Sequence, residues 1–193
     1  MAPIFVMIMS FFFFHEKLNK QKILALIMTI IGLCFITGAF SQEVNLSGKA
    51  ILLGLGAGFG YALYSIFSKM IIDKYEAVTI ITYTFIVATI GSIPLSGVIY
   101  HVDELLSLQA IIAIIGLAIF CTVMPFLLYT TGLKKLEAGK ASILATIEPI
   151  VSAIVGLIFF QEVFDLTKIL GMICIISAIL ILNLNLVKAK SVN

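Results

Sequence analysis

The sequence contains no arginine and no tryptophan, and charged residues of any kind fill only 11% of its 193 positions. A soluble domain carries about 25% charge and about 45–50% apolar residues. Here 62% of the residues are apolar and the mean hydropathy is +1.21. A soluble fold of this length cannot hide that much apolar surface, so the surrounding medium must be lipid. The net charge of +2 is too small to favour a nucleic-acid partner. The lack of arginine fits a nucleotide-composition bias rather than a function. Cysteine is scarce as well. Cys34, Cys121 and Cys174 lie inside apolar runs, are odd in number and match no metal-ligand spacing, so they read as packing residues. The N-terminal MAPIFVMIMSFFFF has neither a basic start nor a small-residue cleavage site, and so is not read as a signal peptide. His15 and His101 fall in loops and belong to no nucleophile or HExxH arrangement. No cofactor or metal is implied.

What the chain does contain is seven apolar runs, at roughly 2–14, 23–40, 49–71, 77–100, 108–133, 138–160 and 166–187. A helix rises about 1.5 Å per residue and must cross about 30 Å of hydrocarbon, which takes about 20 residues. The last five runs meet that length, the second is slightly short, and the first cannot span alone. The runs are continuous rather than alternating, which excludes a barrel. The fold class is therefore an all-α membrane protein of about seven transmembrane helices. Connections such as HEKLNKQK and KKLEAGK are short and polar, leaving no room for a soluble domain.

The chain also repeats itself. FFFFHEKLNKQKIL (11–24) and LIFFQEVFDLTKIL (157–170) share FF-x-E and KIL at an offset of 146. The same offset aligns Pro3 with Pro149, Glu16 with Glu162 and Lys22 with Lys168. The second copy begins five helices after the first, an odd number. Each crossing reverses direction, so the copies must be inverted, a construction common in secondary transporters. Lysine placement agrees. With alternating runs, ten lysines fall on one side and only Lys49 and Lys168 on the other. Lysine is retained on the cytoplasmic face, which puts the protein in the cell membrane with its C-terminus on the cytoplasmic side.

AGKASILATIEPIVSAIVGLIFFQE (138–162) and the preceding CTVMPFLLYTTGLKKL (121–136) resemble the EamA-type transporters of the drug/metabolite transporter superfamily. The resemblance implies ten helices in two inverted five-helix repeats. Residues 48–187 would be a complete second repeat, and 1–40 the last two helices of the first, with its opening helix cut short. His15 and Gln161 stand where the family often has glycine. On this reading three and a half helices are absent. The lone chain is expected to insert without transporting, and its partners would be those helices or another copy of itself.

Glu148 is the one carboxylate deep in a span, ten residues into its run and beside Pro149. Intramembrane charge is costly and marks a cavity or a partner, so Glu148 is a candidate for a coupling proton or a cationic substrate. Its bland alternative is a protonated residue bonded near the proline-interrupted backbone. At 100° per residue Gly54, Gly58, Tyr61, Ser65 and Ser68 share one helix face, Tyr64 flanks it, and Gly56 and Gly60 lie opposite. The glycines permit close helix approach. The polar residues line a substrate path or bond between helices. Ser142, Thr146, Thr122 and Tyr129 are weaker candidates of the same kind. Glu16 and Glu162 read as interface or turn residues, and Pro125 as a kink.

Three functions compete: transport of a small organic metabolite by alternating access, with export the expected direction; a structural or regulatory subunit or inactive fragment; and a membrane-embedded enzyme. No paired acid–base set lies within a span, which counts against the enzyme.

Overall fold

The computed structural model describes residues 2–39, 47–101, 105–161 and 165–190. Among them are seven long helices, one for each apolar run. They are α1 (Ala2–Phe14), α2 (Lys20–Ile36), α3 (Gly48–Ile71), α4 (Ala77–Ser96), α5 (Leu108–Lys135), α6 (Ala138–Phe160) and α7 (Leu166–Lys190). Four of these, α3 to α6, are long and apolar enough to cross a membrane.

Local chemistry sets the ends. Asn19 caps α2, its side chain accepting from the Lys22 N–H at 2.8 Å, so the helix begins three residues before its apolar run. Ser107 caps α5 by accepting from Ala110 N–H. Gly97 ends α4 at φ 65°. His15 and Gln161 end α1 and α6 at φ 52° and 53°, the left-handed conformation that glycine takes most cheaply. This is the physical reason that glycine suits both positions. The boundaries obey the sequence offset: α1 and the Glu148–Phe160 part of α6 match end for end, and α2 starts where α7 does.

Two prolines disturb the helices in opposite ways. Pro149 has no N–H to give the Ala145 carbonyl. The backbone tightens into a 3₁₀ turn at Ala145–Ile147, and Glu148 N–H serves that carbonyl instead. Around Pro125 the helix widens. Leu117–Val123 is π-helical, and Met124 N–H reaches back five residues to the Ile119 carbonyl. The expected disturbance at Pro125 is thus a change of hydrogen-bond register before the proline.

The chain forms two compact units, residues 1–66 with 136–193, and residues 67–135. In the first, α2 packs along α7. A Cβ on Gly32 would stand 2.7 Å from Ile175 Cγ1 and 2.8 Å from the Gly171 carbonyl, and one on Gly171 would stand 2.7 Å from the Gly32 carbonyl. Further along the same pair, Ala25, Ala178 and Leu182 share a buried cluster with Met7 and Ile143. The pairs Gly32–Gly171 and Ala25–Ala178 exchange onto each other under the offset of 146. In the second unit Phe85 of α4 meets Phe126 of α5 edge to face at 5.0 Å, and Lys69 Nζ donates to the Leu133 carbonyl.

Candidate functional site

Glu148 stands where the 3₁₀ turn gives way to helix, with Pro149 in the next position. It opens into a cavity of 410 Å³ in the first unit. Pro149, Ser152 and Ala153 line this cavity from α6, Ile36 and Thr37 from the end of α2, and Lys168 from the first turn of α7. A carboxylate, an ammonium and two hydroxyls therefore share one space beside apolar walls. Thr37 Oγ1 donates to the Leu33 carbonyl at 2.8 Å, which leaves its oxygen directed as an acceptor.

The other candidates divide between the two units. Ser142 and Thr146 are buried on α6 and donate to the Gly139 and Ile143 carbonyls one turn back. Ser65, also buried, donates to the Tyr61 carbonyl at 2.9 Å, and Tyr61 and Tyr64 are half-buried. Ser68, Pro125, Thr122 and Tyr129 belong to the second unit. There Thr122 borders a separate, mostly apolar cavity of 590 Å³ between α4 and the π-helical part of α5, with Thr82 and Thr89 as its other hydroxyls. Of the α3 glycines, Gly58 is half-buried, whereas a Cβ on Gly54, Gly56 or Gly60 would meet nothing within 4 Å. The close approach read from that glycine-rich stretch occurs at Gly32 and Gly171 instead. Pro3 is buried in the first turn of α1. Glu162 lies outside the described residues.

Glu16 is an interface residue. Its Oε1 accepts from the Ala138 N–H at 2.9 Å and its Oε2 from the Gly139 N–H at 3.4 Å, so it caps the start of α6 from another hairpin. Lys22 Nζ lies 3.7 Å from Glu16 Oε2 and 2.8 Å from Glu137 Oε2, and Lys140 Nζ is 3.0 Å from the same Glu137 oxygen. The Glu16 and Lys22 side chains are only 8% and 4% exposed. These contacts hold the α1–α2 turn against the α5–α6 turn, placing the two connections at one end of the first unit. This agrees with alternating runs that return to one side.

Partial burial raises the Glu137 pKa, but hydrogen bonds and charge from Lys22 and Lys140 outweigh it and hold the carboxyl below its ordinary value of 4.5. A depressed carboxyl contributes stability above its unfolded pKa and loses it as pH falls through the folded one. With 42% of the side chain exposed, solvent screening keeps the contribution below about 1 kcal/mol. Glu137→Gln should lower the unfolding midpoint slightly at pH 7 and leave it unchanged in strong acid, where the parent has lost the same charge. Equal losses at both pH values would contradict the assignment.

A model of the EamA-like transporter family matches residues 48–184. The chain belongs to the EamA-like transporter family. Other members include an uncharacterized transporter of Archaeoglobus fulgidus, 28% identical over 94% of this chain and 63% of its own length. A second from that organism is 30% identical over 89% and 60%, and the Bacillus subtilis uncharacterized transporter YetK is 25% identical over 93% and 56%. The chain thus spans less than two thirds of each relative. No solved structure matches it. As an EamA-like chain with these helices it is a multi-pass membrane protein, and the family is one of transporters. Sequence reasoning singled out Glu148 and Pro149 of the cavity but missed Thr37, Ser152 and Lys168. Ser152 was readable, since it follows Glu148 by one turn on the same helix face.

Proposed function

We propose that the chain carries the substrate-binding half of a secondary transporter, which moves a small organic metabolite outward across the cell membrane by alternating access. The Glu148 cavity takes the solute or a coupling proton, and the two hairpins are inverted copies that rock about their shared axis. The observation that carries this reading is a cavity beside Glu148, midway along α6, that combines a carboxylate, an ammonium and hydroxyls with apolar walls, in a member of a transporter family. A carboxylate within an apolar span such as that of Glu148 is expensive unless it faces water, a ligand or a partner. The exchange of Gly32–Gly171 with Ala25–Ala178 supports the inverted arrangement, and the lysine distribution supports a cytoplasmic C-terminus.

The cavity's wetness is directly measurable. In lipid vesicles a cysteine at Ser152, with the three native cysteines replaced by alanine, should react with a membrane-impermeant thiol reagent. A cysteine at Ile173, which is exposed on α7 away from the cavity lining, should not. Equal protection at both positions would mean that the Glu148 cavity is closed to water, and the reading would fall.

A further inference from the structure

The first unit is held together by an apolar cluster centred on α2 and α7 and by a polar contact at one end. Along α2 and α7 the backbones touch. Gly32 and Gly171 leave no space for a Cβ, and the surrounding cluster of Ala25, Ala178 and Leu182 is buried and apolar. Separating these helices would forfeit dispersion contacts that no solvent replaces. Met7 of α1 and Ile143 of α6 belong to the same apolar cluster, but at the end of α6 that faces the α1–α2 turn the contact is polar. Glu16 accepts from the Ala138 and Gly139 N–H groups, and Lys22 links Glu16 to Glu137 and Lys140. Each of these groups is a helix-end amide or a charge, and water can satisfy all of them once they part. A buried ion pair contributes little net stability compared with apolar packing, because desolvation offsets its attraction. Its usefulness lies in fixing one arrangement while allowing another.

We propose that Glu16 is a positioning residue that latches the start of α6, closing this end of the unit, and that the latch releases while the Gly32–Gly171 crossing stays shut as the pivot. The proposal rests on the transport reading only for its purpose, since the latch itself is a property of the fold. Gly139 fits the role: a Cβ there would stand 3.2 Å from Glu16 Oε2, so the carboxylate seats directly on the backbone. One helical turn carries the effect from Gly139 to Ser142 and two turns to Thr146, both buried, and Glu148 follows on the same helix.

The test needs no substrate and no transport. The full chain is purified in detergent with Cys34, Cys121 and Cys174 replaced by alanine. One cysteine is placed at Ala141, 5% exposed on α6, or at Ala25, fully buried on α2. Reaction with a charged, water-soluble thiol reagent reports opening at each point. Glu16→Gln removes the charge at constant size, and Glu16→Ala removes the acceptor. Both should speed labelling at position 141 by about tenfold or more, the change that losing one charge-assisted hydrogen bond makes to a local opening equilibrium. Labelling at position 25 should not change. Unchanged labelling at 141 would overturn the latch. Faster labelling at both positions would also overturn it, because Glu16 would then be supporting the whole unit. If Glu16→Ala fails to fold, Glu16→Gln decides. A chain that proves not to transport leaves these outcomes intact, so the latch and the transport reading fail separately.

Discussion

Replacing Gly32 by alanine is expected to weaken the α2–α7 pair by about 3 kcal/mol, the upper end for forcing extra volume into packed structure. The added Cβ would meet the Gly171 carbonyl at 2.8 Å and Ile175 Cγ1 at 2.7 Å. A side chain can turn aside, but a helix carbonyl can move only with its helix. The cost therefore falls on the separation of the two helices rather than on one rotamer. Gly171→Ala meets the Gly32 carbonyl at 2.7 Å and should cost as much. Because one separation relieves both clashes, the double variant should lose less than the sum of the two. Gly54→Ala and Gly56→Ala meet nothing within 4 Å. In a helix interior they should be neutral or stabilising by up to about 1 kcal/mol. Unfolding of each variant in detergent, followed by helical circular dichroism, separates the cases. A Gly32→Ala protein as stable as the parent would mean that the crossing is not close-packed.

Much of this fold was legible because lipid demands long apolar helices and the chain supplies little else. The α1, α4 and α6 starts coincide with their runs. The α2 start was missed by three residues because the Asn19 cap draws polar Lys20–Lys22 into the helix. The prolines show where sequence reasoning stops. Pro125 and Pro149 each remove one N–H, yet one helix widens and the other tightens. Proline fixes which carbonyl loses its donor, but not whether the preceding turn tightens or widens to compensate. The glycines teach a similar lesson. Gly54 to Gly60 form the densest stretch, but it is the isolated Gly32 and Gly171 that bring two helix backbones to contact distance. Their signal lay in the repeat, which places small residues at 25, 32, 171 and 178 in exchangeable pairs. Within the cavity, Glu148 announced itself as a carboxylate in an apolar run. Thr37 and Lys168 did not, because they reach it from helix ends that only the α2–α7 crossing brings alongside.

Glu148→Gln is expected to have the largest functional effect. The substitution preserves size and the capacity to accept a hydrogen bond, and it removes both the charge and the titratable proton. In the cavity shared with Lys168, Thr37 and Ser152, a cationic group or a proton would lose its counter-charge. Loss of such a charged contact corresponds to a drop of roughly tenfold to a hundredfold in affinity for that ion. The decisive measurement is made in proteoliposomes, with the protein in a form as long as its family relatives. Saturable movement of amine-bearing solutes is followed with and without a pH gradient, for the parent and for Glu148→Gln. The account predicts saturable transport that responds to the gradient in the parent. In the variant, transport should be lost or no longer respond, while insertion and helix content are unchanged. Equal rates and equal pH response in the two proteins would contradict it and leave Glu148 as a residue of helix structure alone.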